Sequence, residues 1–519
     1  MPRLLSTILF ALALIHANAQ QDSIKINITD SIPKRDSAII EELKDNVIDN
    51  IPTITLDDNE LGDASTQNIS SLLTAGRDPF YNAATFNFSA TRFRIRGYDA
   101  DYTSTYINGV PMDNLDNGFT PFGLWGGLND VFRNRDINIG IRYNTFAFGD
   151  IGNTTNIDVR ASKQRPQTNI GYAYSNRSYD HKISFTHSTG LNKNGWAFTI
   201  AGSWRYADEG YVKGTYYNGY SWFGAIDKKL GQRQILSLIA FGAPTESGRQ
   251  GSATQEMIQL AGTHYYNPYW GYQNGKKRNA NISKTNQPVI ILTHDFRITN
   301  KTDLTTSLSY SFGEKSYSAL DWYNAPDPRP DYYRYLPSYY SSDPTLQQLV
   351  SDNLNNNEAA RQINWNNLYN INRENTATIY NANNIEGNTI TGNRSYYIQG
   401  ERVTNSKRIN FNSVLNSRLN NHVDFTAGES YQSSNNNYFE RIKDLLGGSF
   451  WVNVNQFAQR DFPTNNNAYQ NDLNHPNRIV KTGDKYGYNY NININKASVW
   501  SQFVFKFPHV DFFIAGEGS

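Results

Sequence analysis

The chain has 519 residues, a formal net charge of +1, 14% aromatic residues including 35 Tyr, and no cysteine. The balanced charge excludes the concentrated basic surface that nucleic-acid binding needs. The missing cysteine excludes a disulfide framework, thiolate metal sites and a thiol nucleophile. A mean hydropathy of −0.64 is too polar for a bundle of membrane helices, but it suits a barrel in which only alternate residues face lipid.

In chain order, Arg3, the apolar run 4–15 and Ala17-Asn18-Ala19 form the charged, apolar and cleavage regions of a signal peptide, predicted to span 1–19. No later run approaches the ~20 apolar residues of a membrane helix, so any membrane insertion must use strands. Residues 20–50 are polar and expected to be flexible. Ile24, Ile26 and Ile28 alternate there, and such a stretch can add to a partner's sheet edge. Order is expected from about 51, with a helix capped by Asp63 or Ser65, carrying Ile69, Leu72 and Leu73, and ended by Gly76. Arg92, Arg94 and Arg96 then alternate with Phe93 and Ile95, placing three cations on one strand face. Like charges this close need carboxylates or water opposite them.

At this point the sequence resembles a known family. Arg94-Ile95-Arg96-Gly97, then Tyr106-Ile107-Asn108-Gly109-Val110-Pro111, is similar to the plug signature of TonB-dependent outer-membrane receptors. Ile137-Asn138-Ile139, Phe148-Gly149, Gly152 and Asn156-Ile157 resemble the segment that follows in that family. Asn108, Asn138 and Arg142 depart from the usual Asp, Glu and Gly. The resemblance implies an α+β plug over 51–165, with Gly97, Asn108, Gly109, Gly149 and Gly152 at its turns. It implies that Arg92, Arg94 and Arg96 contact the barrel, and that Ile24, Ile26 and Ile28 belong to a TonB-contact segment within 20–50. It also implies a TonB energy-transducing partner and a location in the outer membrane, with the plug facing the periplasm.

From 166 onward the residues read as an antiparallel transmembrane β-barrel. Leu304, Thr306, Leu308, Tyr310 and Phe312 alternate with Thr305, Ser307, Ser309 and Ser311, and Trp196, Phe198 and Ile200 with Ala197, Thr199 and Ala201. Tyr486, Tyr488, Tyr490, Ile492 and Ile494 alternate with Gly487, Asn489, Asn491, Asn493 and Asn495. The apolar member of each pair of faces is assigned to lipid. Eleven strands are predicted, near 168–176, 181–189, 195–205, 219–229, 233–242, 287–298, 303–313, 405–419, 422–433, 484–507 and from 510. Tight turns at 191–194, 231–232, 300–301, 420–421 and 508–509 alternate with connections at 176–180, 206–218, 244–286, 314–404 and 434–483. Short turns at one end and mostly long loops at the other is the outer-membrane pattern, which puts the long loops outside the cell. About eleven strands fall short of the ~22 of a plugged transporter, so an incomplete barrel is expected, with more strands to follow.

The long loops carry Tyr265, Tyr266, Tyr269, Trp270, Trp322 and Tyr323 as candidate ligand-contacting aromatics. Glycans, siderophores, haem and peptides are all compatible ligands. The long aromatic loops on this plug are similar to glycan or peptide importers of the Bacteroidetes type, which makes a surface lipoprotein a candidate partner. Two other readings stay open: a non-transporting barrel that acts as adhesin or assembly subunit, and a passive porin, against which the plug argues.

Catalysis, a cofactor and a metal find no support. His181 and His187 lie six residues apart on one strand, ~20 Å, too far to share an ion. The 113–118 run is a defective calcium loop with Leu115 at a ligand position, and Asp321, Asp327 and Asp331 are a weak second cluster.

Overall fold

The structure, a computed structural model, describes residues 98–176 and 178–519. The expected signal peptide, Ile24, Ile26 and Ile28, the capped helix, and Arg92, Arg94, Arg96 and Gly97 all lie outside the described residues.

The first described elements form a small mixed sheet. β1 (Thr103–Ile107) turns through Asn108-Gly109 into β2 (Val110–Pro111), with φ of +49° and +77° at the two turn residues. That pair of positive angles is the primed hairpin turn that Asn-Gly favours. β3 (Arg135–Ile139) and β4 (Asn153–Ile157) complete a sheet of order β2-β1-β4-β3, with β1 parallel to β4. The turn is anchored twice: Asn108 Oδ1 accepts from the Val159 amide at 2.9 Å, and Asn156 Oδ1 from the Gly109 amide at 3.0 Å. A Cβ on Gly152 would meet the Tyr102 carbonyl oxygen at 2.6 Å, so no other residue fits where β4 begins beside β1.

The rest of the chain is a wall. It begins with β5 (Gln167–Tyr174), β6 (His181–Ser188), β7 (Trp196–Ala207) and β8 (Tyr216–Leu230). β9 (Gln234–Gly242) and β10 (Thr245–Gly248) share one wall position, broken at Ala243-Pro244. β11 (Trp270–Gln273) and β12 (Lys276–Asn279) are a loop hairpin. β13 (Ile282–Asn286) and β14 (Val289–Thr299) share the next position, broken at Gln287-Pro288. Proline has no N–H to give, so each break costs a rung. Register survives: Trp222 faces Gly242 and Gly219 faces Thr245, while Val289 faces Ser311 and Asn286 faces Glu314. After β15 (Thr302–Trp322) come the hairpin of β16 (Thr376–Ile379) and β17 (Ile390–Asn393), then β18 (Tyr397–Arg418) and β19 (Val423–Asp444). The small pair β20 (Trp451–Val452) and β21 (Ile479–Val480) precedes β22 (Lys485–Lys506) and β23 (Asp511–Gly518). The wall therefore has eleven positions in one antiparallel sheet running from β5 to β23, as the sequence predicts.

Two expectations need correction. The sequence ends two strands near 313 and 433 and begins one at 405, whereas β15 runs on to Trp322, β19 to Asp444 and β18 starts at Tyr397, giving 21, 22 and 22 residues. β22, with 22, has about the length expected over 484–507. At ~3.4 Å per residue these strands exceed the length needed to cross a bilayer about twofold. The second correction concerns β22. Arg408, Asn410 and Asn412 reach the inner domain, so even-numbered residues of β18 face inward. Pairing carries that parity to Asn436 and Tyr438 on β19 and to Tyr490, Ile492 and Ile494 on β22. Tyr490, Ile492 and Ile494 thus line the inner side, and Asn489, Asn491, Asn493 and Asn495 point outward. Lower on the same strand the parity is unchanged, with Val499 and Phe503 exposed outside and Gln502 buried inside.

The outer face carries an apolar belt on every wall position, including Ile170, Phe185, Ile200, Leu238, Leu292, Leu308, Ile409, Phe503 and Ile514. Trp204, Tyr220, Trp222, Tyr310, Phe312 and Tyr431 mark its rim on the long-loop side. Exposed apolar surface this extensive is what a bilayer covers.

The long connections are folded, not irregular. α1 (Gln255–Ala261), α2 (Pro344–Asn356), α3 (Trp365–Glu374) and α4 (Gln456–Asp461) are capped by Thr254, Asp343, Asn364 and Asn455. Between them lie apolar clusters: Met257 with Tyr266, Leu336 and Leu354; Ile363 with Trp365, Leu368 and Tyr397; and Tyr323 with Ile442, Phe450 and Trp451. Asn372, fully buried, ties this layer to the wall. Its amide donates to the carbonyls of Tyr397, Leu445 and Leu446 at 2.7–3.0 Å and accepts from the Tyr396 and Tyr397 amides at 2.8 and 3.0 Å.

Candidate functional site

The inner domain touches the wall from Asn169 on β5, which donates to Asp130, to Phe513 on β23, whose ring meets Tyr143 at 6.1 Å. This seam has two unlike halves. Toward β7, β8, β9 and β14 it is mainly apolar: Ile107, Leu124, Trp125, Leu128, Val131 and Phe132 pack on Ala197, Phe223, Ala225, Ile239, Phe241, Val289 and Ile291. Two hydrogen bonds cross to buried side chains of β8, Ser221 donating to the Gly126 carbonyl and the Ser162 amide to Asp227. Phe132 meets Phe241 edge-on at 5.2 Å. Arg160 closes the lower rim of this half with Asp158 of its own domain and Asp295 of β14.

Toward β15, β18, β19 and β22 the seam is held by polar side chains. Ser307 donates to the Asn108 carbonyl at 2.8 Å and Asn412 to the Gly109 carbonyl at 2.7 Å. Asn410 donates to the Pro111 carbonyl at 3.2 Å. Arg408 donates to the carbonyls of Met112 and Asp113 at 2.9 and 3.0 Å and to the side-chain oxygen of Asn114. Alternate residues of one strand thus climb the backbone of one turn. Further on, Asn416 holds the Thr145 carbonyl at 2.9 Å, and Gln502 the Asn144 carbonyl. A polar cavity of about 300 Å³ lies in this half, lined by Ser104, Asp113, Asp150, Gln432, Lys496 and Glu517 among others.

Asp113 is a half-buried acid of the polar half. Its carboxylate accepts from the Thr105 amide at 3.0 Å and from the Thr120 hydroxyl. Burial pushes its pKa up to about 7, against the lowering effect of those hydrogen bonds and of Arg408.

Above the inner domain the inner face of the wall borders a vestibule. Tyr438 donates its hydroxyl to Asp116 at the top of the inner domain and stacks on Tyr490 at 5.2 Å, which meets Tyr488 at 5.6 Å. Gly487, at φ +58°, sits in a bulge that shifts the β19–β22 register, and Tyr486 beyond it is buried with its hydroxyl on Asp321 at 3.3 Å. A pocket of about 320 Å³ opens there, lined by Tyr317, Asp321, Arg402, Glu440 and Tyr486 among others. Aromatic faces beside charged groups and open water form a surface for a polar ligand with flat or ring-shaped parts.

Of the sequence-selected residues, Asn108, Gly109, Gly149 and Gly152 all lie in the inner domain's turns, with Asn108-Gly109 directly on the polar seam. Among the loop aromatics, Tyr266, Trp270 and Tyr323 are buried in the loop layer, Tyr269 and Trp322 are partly covered, and Tyr265 is 58% exposed. Tyr323 lies under the Arg394 guanidinium, 3.9 Å from its ring centre. Burial makes Tyr266, Trp270 and Tyr323 packing residues of the loops. The defective calcium loop has its two acids turned to different partners, Asp113 inward and Asp116 to Tyr438. Sequence reasoning missed Arg408, Asn410, Asn412 and Tyr438. The polar alternation Arg408-Ile409-Asn410-Phe411-Asn412 was the available signal for the first three.

No protein-family model matches this sequence, and no curated protein matches it. Similar solved structures include the receptor FpvA of P. aeruginosa bound to a heterologous pyoverdine, at 10% identity and a TM-score of 0.44, covering 81% of this chain and 45% of that one. The siderophore receptor PiuA from Acinetobacter baumannii matches at 12% identity and a TM-score of 0.43, covering 92% of this chain and 58% of the other. The unliganded ferric citrate transporter FecA matches at 8% identity and 0.42, covering 83% and 55%. The chain spans about half the length of these structures.

Proposed function

We infer that this chain is the plug and part of the barrel of an outer-membrane receptor similar to TonB-dependent transporters, importing a large or scarce ligand and catalysing no reaction. The observation that carries the reading is the two-sided seam. The mainly apolar half holds the plug in place, because parting it exposes hydrocarbon to water and also breaks the hydrogen bonds of buried Ser221 and Asp227. A polar half can part at small cost, because water replaces each side-chain hydrogen bond it breaks. A plug so mounted swings on its mainly apolar side and opens along β15–β22, beside the 300 Å³ cavity and below the vestibule.

The vestibule is the ligand's first contact in this reading, with Tyr488 and Tyr490 as its aromatic face and Asp116 of the plug as its floor. Glycan, siderophore, haem and peptide ligands all fit that chemistry. A pull on residues 20–50 by the TonB complex supplies the work, the long loops face outward from the cell, and a surface lipoprotein can deliver the ligand.

The test is uptake by cells carrying the full-length protein, offered labelled oligosaccharides, ferric siderophores, haem and peptides. One of these accumulates with the intact protein, and deletion of residues 20–43 abolishes accumulation while leaving surface binding. Accumulation that survives the deletion refutes energy coupling through that segment.

A further inference from the structure

We propose that the outward face of β18, β19 and β22, just above the apolar belt, is a binding site for a phosphorylated glycolipid headgroup of the outer leaflet. The site follows from the corrected facing of β22. On β18 the outward series runs from Ile409, in the belt, to Lys407 and Asn405. Phe312, at the aromatic rim, pairs directly with Lys407, which puts that ammonium at headgroup height. Lys407 faces Asn435 and Asn405 faces Asn437 on β19; these in turn face Asn493 and Asn491 on β22.

The result is a shallow groove of about 400 Å³ lined by Lys407, Lys485, Asn435, Asn437, Asn489 and Asn491, with Asn405 at its edge and no carboxylate. The amides are already ordered. Asn437 donates to Asn489 at 3.1 Å, and Lys485 donates to the side-chain oxygens of both at 3.1 and 3.0 Å. Lys407 is exposed, and among the described residues no carboxylate pairs with it. Asparagine is disfavoured in strands, and a merely solvated strand end has no use for a cluster of them around two cations.

The chemistry points to one occupant. Amides present paired donors and acceptors that match sugar hydroxyls, and two uncompensated lysines at the headgroup level match phosphate. The groove is continuous with the belt, so a lipid whose chains lie on Ile409, Tyr431 and Phe503 brings its headgroup to Lys407 without leaving the bilayer.

The proposal rests on the membrane-spanning reading of the wall, and the experiment separates the two. The full chain is placed in nanodiscs of plain phospholipid doped with a bisphosphorylated glycolipid or with its dephosphorylated form, and bound glycolipid is counted by native mass spectrometry. The bisphosphorylated lipid is expected to be retained about tenfold better than the dephosphorylated one. Lys407→Glu is expected to remove that preference and Lys407→Arg to keep it, with the tryptic pattern of the wall unchanged in both. Equal retention of the two lipids by a protein that has entered the nanodiscs overturns the proposal alone. So does a Lys407→Glu variant that retains glycolipid in full but loses a co-purifying outer-membrane protein. Failure to enter nanodiscs at all overturns the membrane reading and the proposal with it.

Discussion

Replacing Asn410 and Asn412 together with Ala should loosen one half of the plug seam and leave the other untouched. Each side chain makes one hydrogen bond to a plug carbonyl, at 3.2 and 2.7 Å. A neutral hydrogen bond is worth about 1 kcal/mol net, so the pair amounts to about 2 kcal/mol. If the polar half opens as a unit, the population of opened molecules rises about 30-fold. Native-state hydrogen exchange reads this directly. The amides of Gly109, Met112 and Asn114, bonded within the plug to Asn156, Thr105 and Phe119, should lose protection by that factor. The amides of Leu128 and Phe132, behind the apolar half, should not change. Equal loss at both sets would mean the plug leaves as one rigid body, and the two-sided seam would be wrong. No loss at either would mean that these bonds do not latch the plug.

The Asp113→Asn variant isolates a pH effect. With the folded pKa raised to about 7 from 3.8, the folded plug binds more protons than the unfolded chain between those values, so wild-type stability falls as pH rises through that window. The variant removes this slope, about 1.4 kcal/mol per pH unit, and denaturant midpoints of the two proteins compared at pH 4 and pH 8 should diverge upward in favour of Asn. Asn372→Ala deletes a buried group with five backbone partners and should destabilise the loop layer by at least about 3 kcal/mol, seen as proteolysis within 323–396 while the wall stays intact. Gly152→Ala forces a Cβ to 2.6 Å from a backbone oxygen and should cost about 1–3 kcal/mol, read as a lower thermal midpoint of the plug. A midpoint unchanged within error would show that β4 can shift to make room.

The wall was legible in the sequence because period-two alternation and tight turns are local signals. Asn300-Lys301 and Asn420-Asn421 mark hairpins wherever the chain finally goes. The facing of β22 was not legible, and the reason is its length. Alternation fixes which side is apolar only where lipid covers the strand, and residues 486–494 rise beyond the belt. There Tyr and Ile serve the inside, and Gly487 adds a bulge that no alternation count reveals. The loop helices do leave a readable trace: Asp343-Pro344 is an N-cap followed by proline at the first helical position. The seam residues could not be chosen in advance, because Arg408, Asn410 and Asn412 matter only through what lies opposite them, 294 to 303 residues away in the chain.

The row from Arg408 to Asn412 also has a mechanical meaning. Its rungs are spaced ~7 Å apart along one strand, the repeat of two extended residues. A load along the strand axis stretches every rung at once, and the row resists as the sum of its bonds. A load that tilts the plug toward its apolar side reaches the rungs one after another, and the row resists only as its single strongest bond. The same contacts therefore make a fastening that is stiff against thrust and weak against peeling. Direction of force, more than its size, then decides when the plug lets go.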